Sequence, residues 1–180
     1  YEKFNNDIGI EKSLAIFYLW FEENFPQSKS KVCYLGEVVT QRLLNVCDLL
    51  IVCMNNNLCI LDDVFIKVIS SHINYNLMDI NYSQNRFNAI IQDISIIKAA
   101  IIYNRYYIDN AFNPEIDKAY IRLQKQIDYL IDKGQFIGNS LKASYQLFVH
   151  LYQFYLFLIS YTDLEFVCYL KTKLDELYYF

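Results

Sequence analysis

Helix-breaking residues are scarce in this chain. Four glycines and two prolines in 180 residues leave long apolar-periodic runs with few places to stop. The most constraining of these runs is Ala143 to Thr162, twenty residues without a charge between Lys142 and Asp163. That length suits a bilayer-spanning helix. The composition argues against one, because the run is crowded with Tyr, Phe, Gln and His rather than Leu and Val. Gln146, His150, Gln153 and Ser160 would each be desolvated in lipid, and the four Tyr hydroxyls are spread along the run instead of gathering at two interfaces. The segment is expected to be a buried helix at the centre of a folded domain.

The rest of the chain reads as helix too. A first helix is expected from Asp7 or Ser13 to Phe25, with Ile16, Leu19, Trp20 and Glu23 on one stripe and Pro26 closing it. A second spans Val32 to Met54, its apolar face formed by Leu35, Val38, Val39, Leu43, Val46, Leu49, Leu50 and Cys53. A third begins at Leu61, Asp62 and Asp63, whose carboxylates suit a helix N-terminus, and runs toward Met78. Ser83 is placed to cap a fourth over Gln84 to Phe112. Asn113 as N-cap and Pro114 at the first helical position then restart the chain. The fifth points Ile116, Tyr120, Leu123, Ile127, Leu130 and Ile131 inward and runs to Lys133, with Gly134 where a left-handed C-terminal residue is wanted. Gly138, Asn139 and Ser140 open the uncharged helix. Thr162 and Glu165 form a capping box before a seventh helix.

Period-two alternation is absent, so the expected class is all-α, with about seven helices in two packed bundles covering about 1–82 and about 83–180. A content of 54% hydrophobic and 20% charged residues suits one globular domain over 1–180. The bias toward Ile, Asn, Tyr and Phe is that of an AT-rich coding genome. It makes Asn55 to Asn57 a plain polar loop and asks no stacking role of the tyrosines.

Formal charge is −4 and the sixteen basic residues are scattered, so the electrostatic footprint of a nucleic-acid binder is missing. Five cysteines in apolar, helix-periodic surroundings suit reduced thiols. Cys47, Cys53 and Cys59 recur every six residues, which matches no zinc ligand set, and no metal or cofactor is expected. His72 and His150 stand in apolar helical contexts, and no cysteine sits in a Gly-rich turn that would expose a nucleophile. The adjacent carboxylates Glu22 and Glu23, Asp62 and Asp63, and Asp175 and Glu176 point about 100° apart on a helix and cannot flank one substrate atom. A phosphate-cradling Gly-rich loop is also lacking. The expectation is therefore a chain without enzymatic activity.

Three segments, Lys98 to Phe112, Gly134 to Leu141 and Leu151 to Phe166, carry a further signal in their order and separation. Together they cover part of a stretch about half the chain long. They resemble the DotU/TssL family of type VI secretion, marked by an Arg-Tyr-x-x-x-x-Leu-Asp-Glu helix, a Gly-x-x-Phe-Phe step, and a Leu-x-x-Phe-Tyr-x-x-Leu helix that runs into a Gly-Phe-x-Gly-Lys-Tyr turn. Arg105 and Tyr106 stand near the start of the first motif, Ile108 and Asp109 take its Leu-Asp place, and Asn110 replaces the acidic partner. Gly134 and Phe136 fit the middle step, and Phe154, Tyr155 and Leu158 fit the last helix. The turn departs from the pattern: Ser160 and Leu164 stand where glycines belong, and Glu165 replaces the basic residue.

The resemblance implies a cytoplasmic all-helical domain of two packed bundles, anchored in the bacterial inner membrane by a transmembrane helix expected beyond Phe180. It implies a structural role, joining an IcmF/TssM-like membrane protein to the baseplate of a contractile injection machine, and it leaves room for a homodimer. Arg105, Asp109, Asn110, Phe136, Tyr155 and Glu165 are its candidate structural or interaction residues. Asp109 would brace the bundle junction or cap locally, and Tyr155 would serve as core filling with a satisfied hydroxyl. The alternative is a stand-alone helical interaction module or effector with a groove for a partner helix.

Overall fold

The computed structural model describes residues 6–25, 35–56, 58, 62–107, 111–132, 135–136, 141–161 and 164–178. Among these residues the chain forms seven α-helices: α1 (Asn6–Asn24), α2 (Gly36–Asn55), α3 (Asp63–Leu77), α4 (Arg86–Tyr107), α5 (Asn113–Leu130), α6 (Leu141–Tyr161) and α7 (Leu164–Tyr178). A 3-10 turn at Asp79–Asn81 and a two-residue ladder, β1 (Ile131–Asp132) with β2 (Gln135–Phe136), complete it. The fold is all-α.

The centre belongs to α4, not to the uncharged α6. Every residue from Ala89 to Ile97 is buried, as are Ala99 to Ile102, and α4 packs against α2, α3, α5 and α6. Small residues explain this. Ala89, Ser95, Ala99 and Ala100 let neighbouring backbones approach from all round, whereas α6 leaves Tyr145 and Tyr152 exposed on its outer side. The core is one contiguous cluster running from Phe17 on α1 to Leu174 on α7. Each fully buried Leu, Ile or Phe in it contributes roughly 1.5–3 kcal/mol.

Local chemistry sets the helix ends. The Asp62 carboxylate accepts from the amides of Val64 (3.0 Å) and Phe65 (3.1 Å), capping α3. At α4 the cap is Asn85, not Ser83: the Asn85 side-chain oxygen accepts from Phe87 (3.0 Å) and Asn88 (3.3 Å), while Ser83 Oγ accepts from the Asn85 amide. α4 ends at Tyr107, short of Phe112. Asn113 is the first residue of α5 rather than its cap, and Phe112 holds the cap position. Asn104 fastens this junction by accepting from the Phe112 amide (3.2 Å) and donating to Asn113 Oδ1 (2.9 Å).

α5 stops at Leu130, earlier than its sequence periodicity suggests. Ile131 pairs with Phe136 and Asp132 with Gln135 in an antiparallel ladder that helical periodicity alone does not announce. Lys133, Gly134, Gly138 to Ser140 and the Thr162 cap lie outside the described residues. On α1 the inward face is Ile10 and Phe17, while Ile16 and Leu19 are exposed. Phe17 stacks on Phe65 of α3 with centroids 4.2 Å apart, and that contact turns α1 away from the stripe expected for it. On α2, Val39, Leu43, Val46, Leu50 and Cys53 are buried and Leu35 and Val38 are exposed.

Candidate functional site

Of the residues singled out by the family resemblance, the side chains of Arg105, Tyr155 and Glu165 are described. Arg105 lies in the last turn of α4, exposed, with its guanidinium carbon 4.9 Å from the centre of the Tyr161 ring. This contact ties the C-terminal ends of α4 and α6 together. Glu165 is exposed in the first turn of α7. Tyr155 lies six residues before Tyr161, half-buried against the core, its ring 6.4 Å from that of Tyr152. Phe136 contributes its backbone to the ladder, and its side chain lies outside the described residues, as do Asp109 and Asn110 entirely. Phe154 and Leu158 are buried in the core, so these motif residues act as packing.

A second arrangement joins helices α1, α2 and α3. Arg42 stacks its guanidinium 4.3 Å from the Trp20 ring centre and brings Nη1 within 3.1 Å of His72 Nε2. Guanidinium only donates, so Nε2 must accept and the imidazole proton must sit on Nδ1, 3.1 Å from Ser71 Oγ. Ser71 Oγ in turn donates to the Val68 carbonyl (3.1 Å). Burial, and then the Arg42 charge, push His72 down to about 4, so the ring is neutral at ordinary pH. This places His72 as a hydrogen-bond relay between helices.

Residues of α1 and α2, Trp20 and Arg42 among them, line a trough of about 1390 Å³. Its walls include Ile10, Ile16 and Trp20 on α1 and Val38, Leu49 and Val52 on α2, with Ser13, Gln41 and Asn45 between them. Ile16 is 69% exposed there. The helical periodicity of α1 and α2 contains more apolar positions than one face can bury, and that excess is the only sign of the trough in the sequence.

The buried polar centre is elsewhere. Asp93 on α4 accepts from Tyr82 Oη (2.7 Å) and from Arg122 Nε of α5 (2.9 Å), and the Arg122 guanidinium covers the Tyr82 ring at 4.2 Å. Burial pushes the Asp93 carboxyl up to about 6 against the opposing pull of Arg122 and Tyr82. Behind it, Gln92 Nε2 donates to the carbonyls of Asn76 (2.9 Å) and Asn81 (3.2 Å) and its Oε1 accepts from the Ser83 amide. These groups fasten the turn before α4 to α3 and α5, leaving Asn76 Nδ2 and Arg122 Nη1 without a hydrogen-bond partner among the described residues, and Asn81, Ser83 and Gln92 also border a cavity.

His150 lies on α6 against Phe87, ring centroids 5.8 Å apart, and lines a smaller cavity of about 410 Å³ with Thr40, Asn88 and Gln92. Burial lowers its pKa. The Cys47 thiol, fully enclosed, is pushed up to about 12, so it carries little thiolate at neutral pH. Among the described residues no three His, Cys, Asp or Glu side chains group as metal ligands.

No family model, curated protein or solved structure matches this chain. Among the described residues no helix is long and apolar enough to cross a membrane.

Proposed function

We propose that this chain is a non-enzymatic helical scaffold that holds an apolar helix of a protein partner in the trough between α1 and α2. The trough itself carries the reading. Its α1 wall from Ile10 to Trp20 rises about 15 Å and its α2 wall from Val38 to Val52 about 21 Å, room for three to four turns of a docked helix. Exposed Ile16, Val38 and Val52 supply the apolar contacts, and Trp20, with Arg42 stacked on its ring, supplies a stiff anchor in the lining.

The particular setting we propose is the membrane complex of a type VI secretion system. There the chain would join an IcmF/TssM-like inner-membrane protein to the baseplate on the cytoplasmic side. The order of the three motif segments supports this, with Arg105 closing α4 and Phe154, Tyr155 and Leu158 on α6. The test is a calorimetric titration of the chain with the cytoplasmic region of an IcmF/TssM-like protein from the same genome. Binding is expected, weakened roughly tenfold or more by Val38→Asp combined with Val52→Asp. Absence of binding would sink the type VI setting, and binding indifferent to the double variant would remove the trough. The same trough serves a stand-alone helical module, and a gene whose deletion leaves type VI secretion unchanged belongs to that second reading.

A further inference from the structure

Helix α6 is apolar on two faces, and among the described residues only one of them is buried in the core. Leu147, Leu151, Phe154 and Leu158, spaced four, three and four residues apart, are buried in the core. On the other side Tyr145, Val149, Tyr152, Leu156 and Ile159 follow one another at four, three, four and three residues. That is the heptad seam of a helix that packs along a second helix at a shallow angle. Tyr145 is 69% exposed, Tyr152 44%, Leu156 47% and Ile159 52%, with Val149 half-buried among them. The seam explains the missing charges: an uncharged helix results when both faces are apolar and the positions between them hold amides and hydroxyls.

We infer that this seam pairs with the same seam of a second copy of the chain, making a two-fold dimer through α6. The uncharged flanks select a second copy over a foreign helix, and the exposed area and the prefolded helix make the pairing feasible. First, the positions that flank the seam, where coiled coils place the charges that choose a partner, are Gln146, Gln153 and Ser160 on one side and half-buried Phe148 and Tyr155 on the other. No charge is offered for a different partner to complement, and none repels its own copy. Second, Tyr145, Tyr152, Leu156 and Ile159 expose on the order of 450 Å² per copy, about half of what one partner gives to a standard interface, before the flanking glutamines are counted. Third, the helix is already folded against its own core, so pairing does not bear the nucleation cost that makes isolated two-heptad coils unstable. A seam centred on Tyr152 places that ring beside the two-fold axis. Charge-poor cores with Tyr and aliphatic side chains are the compositional mark of a protein interface.

The proposal uses a different face from the α1–α2 trough, so either can fail while the other stands. The test is sedimentation velocity of the full chain from low to high micromolar concentration. A reversible dimer with micromolar dissociation constant is expected, weakened roughly a hundredfold by Leu156→Arg, which places an unpaired charge inside the seam of each copy. Ile16→Arg in the trough should leave the dimer unchanged. Leu156 is exposed, so the variant should keep the wild-type circular dichroism. A second measurement combines Tyr152→Cys with Cys168→Ser, and mild oxidation should then trap a covalent dimer. A wild type that stays monomeric throughout the range, as it would if the face served a foreign helix, overturns the proposal. So does a Leu156→Arg protein that dimerises like the wild type, or failure of the Tyr152→Cys variant to cross-link.

Discussion

At the scale of single residues the strongest commitment in the molecule is Asp93, wholly buried and answered by Tyr82 and Arg122. At neutral pH the carboxylate and guanidinium are both charged, and a buried charge costs several kcal/mol unless it is paired and hydrogen-bonded. The asymmetry between breaking such a pair and replacing it decides the prediction. Arg122→Met strips the cation and leaves the carboxylate uncompensated, so urea unfolding at pH 7 should show a loss of roughly 3–5 kcal/mol. The double variant Asp93→Leu with Arg122→Met removes both charges and should recover most of that loss. If the single variant costs under about 1 kcal/mol, the pair is not the clamp described. Neither residue stands out in the sequence. Asp93 lies in an apolar-periodic run and Arg122 in an amphipathic helix, twenty-nine positions apart, and only their meeting across α4 and α5 makes them partners.

At the scale of elements, the helix count and most helix positions were legible because apolar periodicity and turn residues agree with the fold: α3, α5, α6 and α7 lie close to where their patterns put them. What was not legible is which face wins. α1 carries apolar residues nearly all round, so periodicity could not choose between an Ile16–Leu19 stripe and the Ile10–Phe17 stripe that is buried. The choice is made by Phe65, forty-eight positions beyond Phe17, through ring stacking. Likewise an uncharged helix can be central or two-faced, and only the small residues of α4 decide that α4 takes the centre. The Trp20, Arg42 and His72 stack has no local signature in the sequence because its members come from three helices. α1 depends on few contacts, and Phe17→Ala should show it. The loss of a stacked, buried ring is expected to cost about 3 kcal/mol. Amide exchange should accelerate through Asn6–Asn24 while α4 keeps its protection. Uniform acceleration across α1 and α4 would mean that α1 opens only with the whole core.

At the scale of the whole molecule, His72 and Asp93 give the fold two buried titrations of opposite sign. His72 is held near 4 against an ordinary 6.5, so the folded protein binds its proton more weakly than the unfolded chain. Its contribution is complete above 6.5 and is lost as pH falls toward 4, roughly 3 kcal/mol in all. Asp93 is held near 6 against an ordinary 3.8, so the folded protein binds that proton more tightly. Its contribution is complete below 3.8 and is lost as pH rises through 6, again roughly 3 kcal/mol. Over the window from about 4 to 6 the two slopes oppose each other and nearly cancel. The wild type should therefore have a flatter stability profile there than either variant. His72→Gln, which keeps an acceptor for Arg42, removes the rising slope and should leave a protein more stable at the acid end of the window than the neutral end, relative to wild type. Asp93→Asn removes the falling slope, so acid should destabilise that protein by about 2–3 kcal/mol more than it does the wild type. Urea titrations of the three proteins across the window decide the matter, because exposed carboxylates common to all three drop out of the differences. Three parallel profiles would mean that neither group is held away from its ordinary value. If only the Asp93→Asn profile diverges, the buried carboxylate and not the imidazole sets the acid response, since Arg42 could then accommodate a protonated His72 by moving off it.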